Sequence, residues 1–156
     1  MSRRAKPKKR IPAPDAVFGD VEVSKFINRL MTRGKKSTAE GIFYDAIEII
    51  KGKATEDGLV VFKRALQKAK PLVRVKARRV GGSTYQVPIE VRDDEGIAIG
   101  SRWMIEFARK RKGRTMADKL AHEILDIYNG LGATMKRRED THKMAEANKA
   151  FAHYRF

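Results

Sequence analysis

From about residue 19 onward, apolar residues recur with a helical period except in one window, about Leu72 to Arg92, where the period drops to two. That interruption confines the chain to packed helices carrying a single pair of strands. Before the window, Phe26, Ile27, Leu30 and Met31 form one apolar stripe. Ala39, Ile42, Phe43, Ala46, Ile47 and Ile50 form a second, and Leu59, Phe62, Ala65, Leu66 and Ala69 a third that Pro71 stops. Asp57 precedes the third stripe, where a carboxylate can accept the unpaired amides of a first turn. Beyond the window, Ile99, Trp103, Met104, Phe107 and Ala108 predict a fourth helix with Trp103 in the core. Thr115-Met116-Ala117-Asp118 has a reciprocal capping pattern and opens a fifth, with Leu120, Ala121, Ile124, Leu125 and Tyr128, ended by Asn129-Gly130 and Gly132. From Met135 to about Ala150 the chain favours helix with a thin apolar stripe, so much of that circumference is expected to face water or a partner.

Inside the window Val73, Val75 and Ala77 alternate with Arg74, Lys76 and Arg78, and Tyr85, Val87, Ile89 and Val91 continue the apolar set beyond Gly81-Gly82. This predicts a hairpin. A two-residue loop puts the two apolar sets on opposite faces; a three-residue loop, Gly81 to Ser83, sets Val75 opposite Ile89 and is the expectation. Strands of this length reach roughly 30 Å, and an isolated ribbon is marginally stable in water, so its outer part needs a support. Residues 1–18 are polar, basic and interrupted by Pro7, Pro12 and Pro14, and are expected to form a flexible arm. Residues 19–156 are expected to form one helical domain with a basic C-terminal helix and tail.

Charge narrows the partner. With 35 Lys and Arg against 19 Asp and Glu, the formal net charge is +16, which disfavours a compact isolated chain through self-repulsion. The cations are grouped: Arg3, Arg4, Lys6, Lys8, Lys9 and Arg10; Arg33, Lys35 and Lys36; Arg74, Lys76, Arg78 and Arg79; Arg109, Lys110, Arg111, Lys112 and Arg114; Lys136, Arg137 and Arg138. Any one group can be solvated surface, and Arg109 to Lys112 also suits the negative end of a helix. Together they form the footprint of a nucleic acid, whose phosphates would release condensed counterions on contact. Arg74, Lys76 and Arg78 recur every second residue, a spacing that can follow a backbone, and Tyr85 offers a ring for stacking. Gly34-Lys35-Lys36-Ser37 is not a phosphate-gripping P-loop, because the required earlier glycine is Arg29. Ser37 is instead expected to cap the second helix, whose N-terminal amides with Lys35 and Lys36 form an anion site.

Other chemistries find little footing. The chain has no cysteine, which removes disulfides, thiolate nucleophiles and Cys-based metal sites and fits a reducing compartment. His122, His142 and His153 lack metal-ligand spacing. Asp93-Asp94-Glu95 could hold a catalytic magnesium, but carboxylates at a helix start complement the dipole, the simpler role. No cofactor, metal, catalytic residue or small-molecule substrate is expected. No apolar run approaches the ~20 residues that span a bilayer, and no helix has the split of a membrane-surface binder. The cytosol or an organelle matrix is the expected location.

The stretch Lys25-Phe26-Ile27-Asn28-Arg29-Leu30-Met31-Thr32-Arg33-Gly34-Lys35-Lys36-Ser37-Thr38-Ala39-Glu40 resembles the signature region of the small-subunit ribosomal protein seven family, in its bacterial or organellar form. Lys76 to Pro88, Arg102-Trp103 and the tail Met144 to Phe156 are similar to that family too, in the same order along nearly the whole chain. The resemblance implies a mainly α fold, a six-helix bundle with a protruding two-stranded antiparallel β-ribbon. It also implies a non-catalytic structural constituent of the small ribosomal subunit, a primary binder of the 3′ major domain of 16S ribosomal RNA that nucleates the head near the decoding centre. Carried over by position, the basic residues from Arg3 to Arg10, with Lys35, Lys36, Lys76, Arg78, Arg79 and Arg109 to Thr115, would hold ribosomal RNA. Arg33, Ser37, Arg137 and Arg138 join them as candidates. Gly81, Gly82, Ser83 and Tyr85 at the ribbon tip, and His142, Lys143 and Lys149, would lie near messenger RNA or exit-site tRNA. The tail would point to small-subunit ribosomal protein eleven and another surface to protein nine. Asp93-Asp94-Glu95-Gly96 replaces a stretch that is often basic in the family, which argues against an RNA contact there. The rival from a different class is an architectural DNA binder, which would use the basic ribbon with Pro88 as a wedge.

Overall fold

The computed structural model describes residues 10–154. Their contacts divide the chain into two compact units, residues 1–40 and 41–156.

In the first unit, the described part of the expected arm has no helix or strand. It ends in a turn closed by the buried Asp15 carboxylate, which accepts the amides of Val17 at 3.1 Å and Phe18 at 3.0 Å. Helix α1 (Val21–Leu30) follows, its first turn capped by Asp20, whose Oδ1 accepts the Glu22 amide at 2.6 Å. Its stripe buries Val23, Phe26, Ile27 and Leu30. A tight turn leads into α2 (Lys36–Lys53), with both Arg33 (φ 53°) and Gly34 (φ 74°) in the left-handed region. Because α2 starts at Lys36, Ser37 lies inside its first turn and is not its cap, contrary to expectation.

The second unit takes up α2 from Gly41 and continues through α3 (Gly58–Ala69), β1 (Val73–Val80), β2 (Ser83–Glu90), α4 (Asp93–Lys110), α5 (Met116–Tyr128), α6 (Gly132–Ala147) and a 3-10 segment, Lys149–Tyr154. Helices α3, α4 and α5 pack on one another, α6 lies against all three and against β1, and the 3-10 segment covers β2. Phe43, Phe62, Leu66, Met104, Leu120, Ile124 and Ile127 are fully buried, each contributing about 1.5–3 kcal/mol of transfer free energy. Phe43 and Phe62 meet edge-on at 5.1 Å. Gly58 lets α3 begin against α2, since a Cβ there would lie 2.6 Å from the Ile47 carbonyl oxygen.

The expected α5 boundaries hold. Thr115 Oγ1 accepts the Asp118 amide at 3.1 Å while Asp118 Oδ2 accepts the Thr115 amide at 3.3 Å, and the chain turns at Gly130 (φ 77°). Gly132 opens α6, however, and does not end α5. Asp57 occupies the N-cap of α3 but its side chain makes no capping bond.

Two larger corrections concern α4 and the hairpin. Trp103 is half-buried and not core, as are Ile99 and Phe107; α4 buries Gly96, Gly100, Ser101, Met104, Ile105 and Ala108. The small residues decide this. A Cβ on Gly100 would sit 3.2 Å from the Ala69 carbonyl, so α4 closes on α3 along its narrowest face and its bulkiest residues are left at the edge. In the hairpin Val80 pairs with Ser83, Val75 with Pro88 and Arg74 with Ile89, so the loop is Gly81-Gly82 and not the three residues expected. Two glycines at φ 56° and 91° supply the paired positive angles of a two-residue turn, and that preference outweighs face matching.

Candidate nucleic-acid interface

The register puts Arg74, Lys76 and Arg78 on the same ribbon face as Ile89, Val87 and Tyr85. Lys76, Arg79, Gly81, Gly82, Ser83 and Thr84 are exposed. Tyr85, expected to be open for stacking, packs against the chain's own tail, with ring centroids 5.2 Å from Phe151 and 5.3 Å from Tyr154. Arg78 Nη1 donates to the Tyr154 carbonyl, so the 3-10 segment is the support that the outer ribbon requires. At the ribbon base Arg74 pairs with Glu95 at 2.6 Å and Lys70 pairs with Asp93, which absorbs two of the three acids that open α4.

The α4–α5 connection is divided between structure and surface. Arg111 donates through Nε to Glu123 at 2.6 Å and through Nη2 to Asp126. Glu123 is 1% exposed, and Thr134 Oγ1 donates to it at 2.6 Å. A buried carboxylate is tolerable only with such partners. Burial opposes the charge on Arg111, but the bonds to Glu123 and Asp126 hold its pKa above the ordinary value. Arg111 is therefore a clamp joining the end of α4 to α5 and the start of α6. The signal in the sequence was the i, i+3 pair Glu123 and Asp126 on one face of α5. Arg109, Lys110, Lys112, Arg114 and Thr115 are exposed. Lys110 donates to Glu106 at 2.5 Å, which holds the Glu106 carboxyl below the usual range.

On α6 only Thr134, Met135, Thr141 and Ala145 are buried, and Lys136, Arg137 and Lys143 face solvent. Arg138 Nη1 donates to the Lys68 carbonyl at 2.7 Å, tying α6 to the end of α3. His142 Nε2 accepts the Leu72 amide at 3.0 Å. Burial first, and then the positive charge of Arg138, lower the His142 pKa. His142 and Lys149 line a cavity of about 470 Å³ with Leu72, Val73, Pro88 and Ala145. Pro88 is thus part of a wall facing α6, far along β2 from the hairpin turn.

In the first unit, Arg10, Arg33, Lys35, Lys36 and Ser37 are all exposed. The first turn of α2 has no acidic residue, so its amides and Lys35 and Lys36 face any anion without a competing carboxylate there; Glu40, one turn on, reaches Lys36 at 3.5 Å. Arg3, Arg4, Lys6, Lys8 and Lys9 lie outside the described residues. Among the described residues no group of His, Asp and Glu could hold a metal ion, and no helix is long and apolar enough to cross a membrane.

A family model described as "Ribosomal protein S7p/S5e" matches residues 2–149. The small ribosomal subunit protein uS7 of Thermosynechococcus vestitus is 55% identical over 156 residues, 100% of both chains. The protein of the same name from Cytophaga hutchinsonii is 56% identical over 154 residues, 99% of each chain, and that of Bifidobacterium longum 51% over 156 residues and 100% of each. A chain matched on this scale, with cations grouped on its turns and no catalytic constellation in its sequence, belongs to the ribosomal protein S7p/S5e family, structural and non-enzymatic components of the small ribosomal subunit.

Proposed function

We propose that the chain binds the 3′ major domain of 16S ribosomal RNA and nucleates the head of the small subunit, in the cytoplasmic ribosome. The observation that carries this reading is where the exposed cations sit. Arg33 and Lys35 occupy the turn before α2 and Lys36 opens that helix, Arg79 lies beside the hairpin turn, and Lys112 and Arg114 occupy the α4–α5 connection. Helix packing has no use for charge at such places, whereas a folded RNA presents phosphates to protruding turns. Recognition is by shape and backbone, as A-form grooves require, and not by a base code. The arm from Arg3 to Arg10 adds phosphate contacts. The hairpin tip, with His142, Lys143 and Lys149, lies toward messenger RNA and exit-site tRNA, and the tail and a second surface meet ribosomal proteins eleven and nine.

Filter binding at matched salt tests the reading. A head-domain RNA fragment is expected to bind more tightly than random duplex DNA, and exchange of Lys35, Lys36, Arg79, Lys112 and Arg114 for glutamine to weaken that binding and flatten its salt dependence. Equal affinity for the two polymers would return the architectural DNA reading, which Pro88 does not favour from its place facing α6.

A further inference from the structure

Beside the ribbon base, a cavity of about 370 Å³ is lined by Pro71, Arg74, Ile99, Arg102, Trp103, Glu106 and Thr141. We propose that it receives an unstacked, amino-bearing base of the bound RNA, with the base against the Trp103 indole and the neighbouring phosphate on Arg102. The proposal rests on the RNA-binding reading above and adds the place where a base, and not only phosphate, is held.

Five observations carry it. The volume falls in the range of sites that take small ligands, roughly 300–1,000 Å³. Trp103 is half-buried at the cavity wall, fixed by packing yet reachable, which suits a rigid stacking platform. Arg102 is exposed, and its Nε donates to the Ala98 carbonyl at 3.2 Å; this orients the guanidinium while its Nη groups bond nothing among the described residues. Arg74 is held through Nη2 by Glu95, while its Nε is shielded from solvent and has no hydrogen-bond partner among the described residues. An oriented guanidinium and an indole lining one cavity match a ligand that is planar and anionic at once, as a nucleotide is. The carboxylate of Glu106, kept charged by Lys110 and by nearby Arg137, adds an acceptor for an exocyclic amine and favours an amino-bearing base.

Trp103 is the only tryptophan, so its emission reports on this cavity alone. Titrating the full chain with the head-domain RNA fragment is expected to quench that emission with the same midpoint as binding. Trp103→Leu is expected to lower affinity by roughly tenfold without changing the salt slope, because stacking and no phosphate contact is lost. Trp103→Phe should retain most of the affinity, and Arg102→Gln should flatten the salt slope. If the fragment binds but the emission does not move, or Trp103→Leu binds as tightly as the parent, the cavity takes no base and the RNA-binding reading stands. If the unaltered chain does not bind the fragment, both fail together. Should Trp103→Leu not fold, the parent emission and Trp103→Phe decide.

Discussion

Arg33 holds φ 53°, a conformation that costs a residue with a Cβ about 1 kcal/mol and that glycine adopts freely. The strain is retained at an exposed cation on the turn into α2, the pattern of a residue kept for contact and not for packing. Arg33→Gly is therefore expected to raise stability by up to about 1 kcal/mol, less the added freedom of the unfolded chain, while weakening RNA binding. Urea unfolding and filter binding on the same variant check the opposed signs. His142 shows the converse, a polar side chain kept for structure. Its pKa is depressed by burial and by Arg138, and its Nε2 must stay unprotonated to accept the Leu72 amide. Below its unfolded value of 6.5, the unfolded chain takes up a proton that the folded chain refuses. Stability is thus expected to fall as pH drops from 6.5 to the depressed value and to lose nothing further from this group below it. Urea midpoints at pH 7.5 and 5.5 should differ more in the parent than in His142→Gln.

At the scale of elements, the ribbon depends on a segment far from it in sequence. Tyr85 packs on Phe151 and Tyr154, and Arg78 bonds the Tyr154 carbonyl. Removing one ring contact costs about 0.5–1.5 kcal/mol beyond the lost burial. Phe151→Ala is expected to speed hydrogen exchange of the Tyr85 and Val87 amides while those of α5 keep their protection; unchanged exchange in β2 would mean that the ribbon stands without this support. The same dependence explains what could be read from the sequence. The helical periods and the Thr115–Asp118 box are local, and the helices appear where expected, although α4 buries a different face from the stripe Ile99, Trp103 and Phe107. The hairpin register departs from the face-matching expectation because the two-glycine turn sets it, bringing Tyr85 and Val87 onto the face of Arg74, Lys76 and Arg78 that the tail supports. Trp103 departs from the expected core position because Gly100 and Ala69, and not side-chain size, set how closely α4 approaches α3. Arg111 sits in a cationic run and is expected to hold RNA, while its partners Glu123 and Asp126 lie in another helix, so its clamp is not visible from the local sequence. The exposed groups around Lys35, Arg79 and Lys112 were legible because a charge that nothing in the fold needs is visible in the sequence itself.

For the molecule as a whole, the charge of +16 acts twice and with opposite signs. In the free chain the cations repel one another, and salt screens that repulsion over roughly 10 Å at 0.1 M. In the complex the same cations displace counterions from RNA, and salt opposes that displacement. With six to ten phosphate contacts, affinity is expected to fall by about 10³–10⁵ between 50 and 200 mM salt. Over the same range the melting temperature of the free chain is expected to rise. A solubilising surface of scattered charge would give the rise without the steep fall, and a fold held mainly by ion pairs such as Arg111–Glu123 would give a melting temperature that drops. Thermal melts and binding isotherms taken on one salt series therefore separate the three cases, because a polyanion footprint is the only one of them in which screening strengthens the protein and weakens its complex.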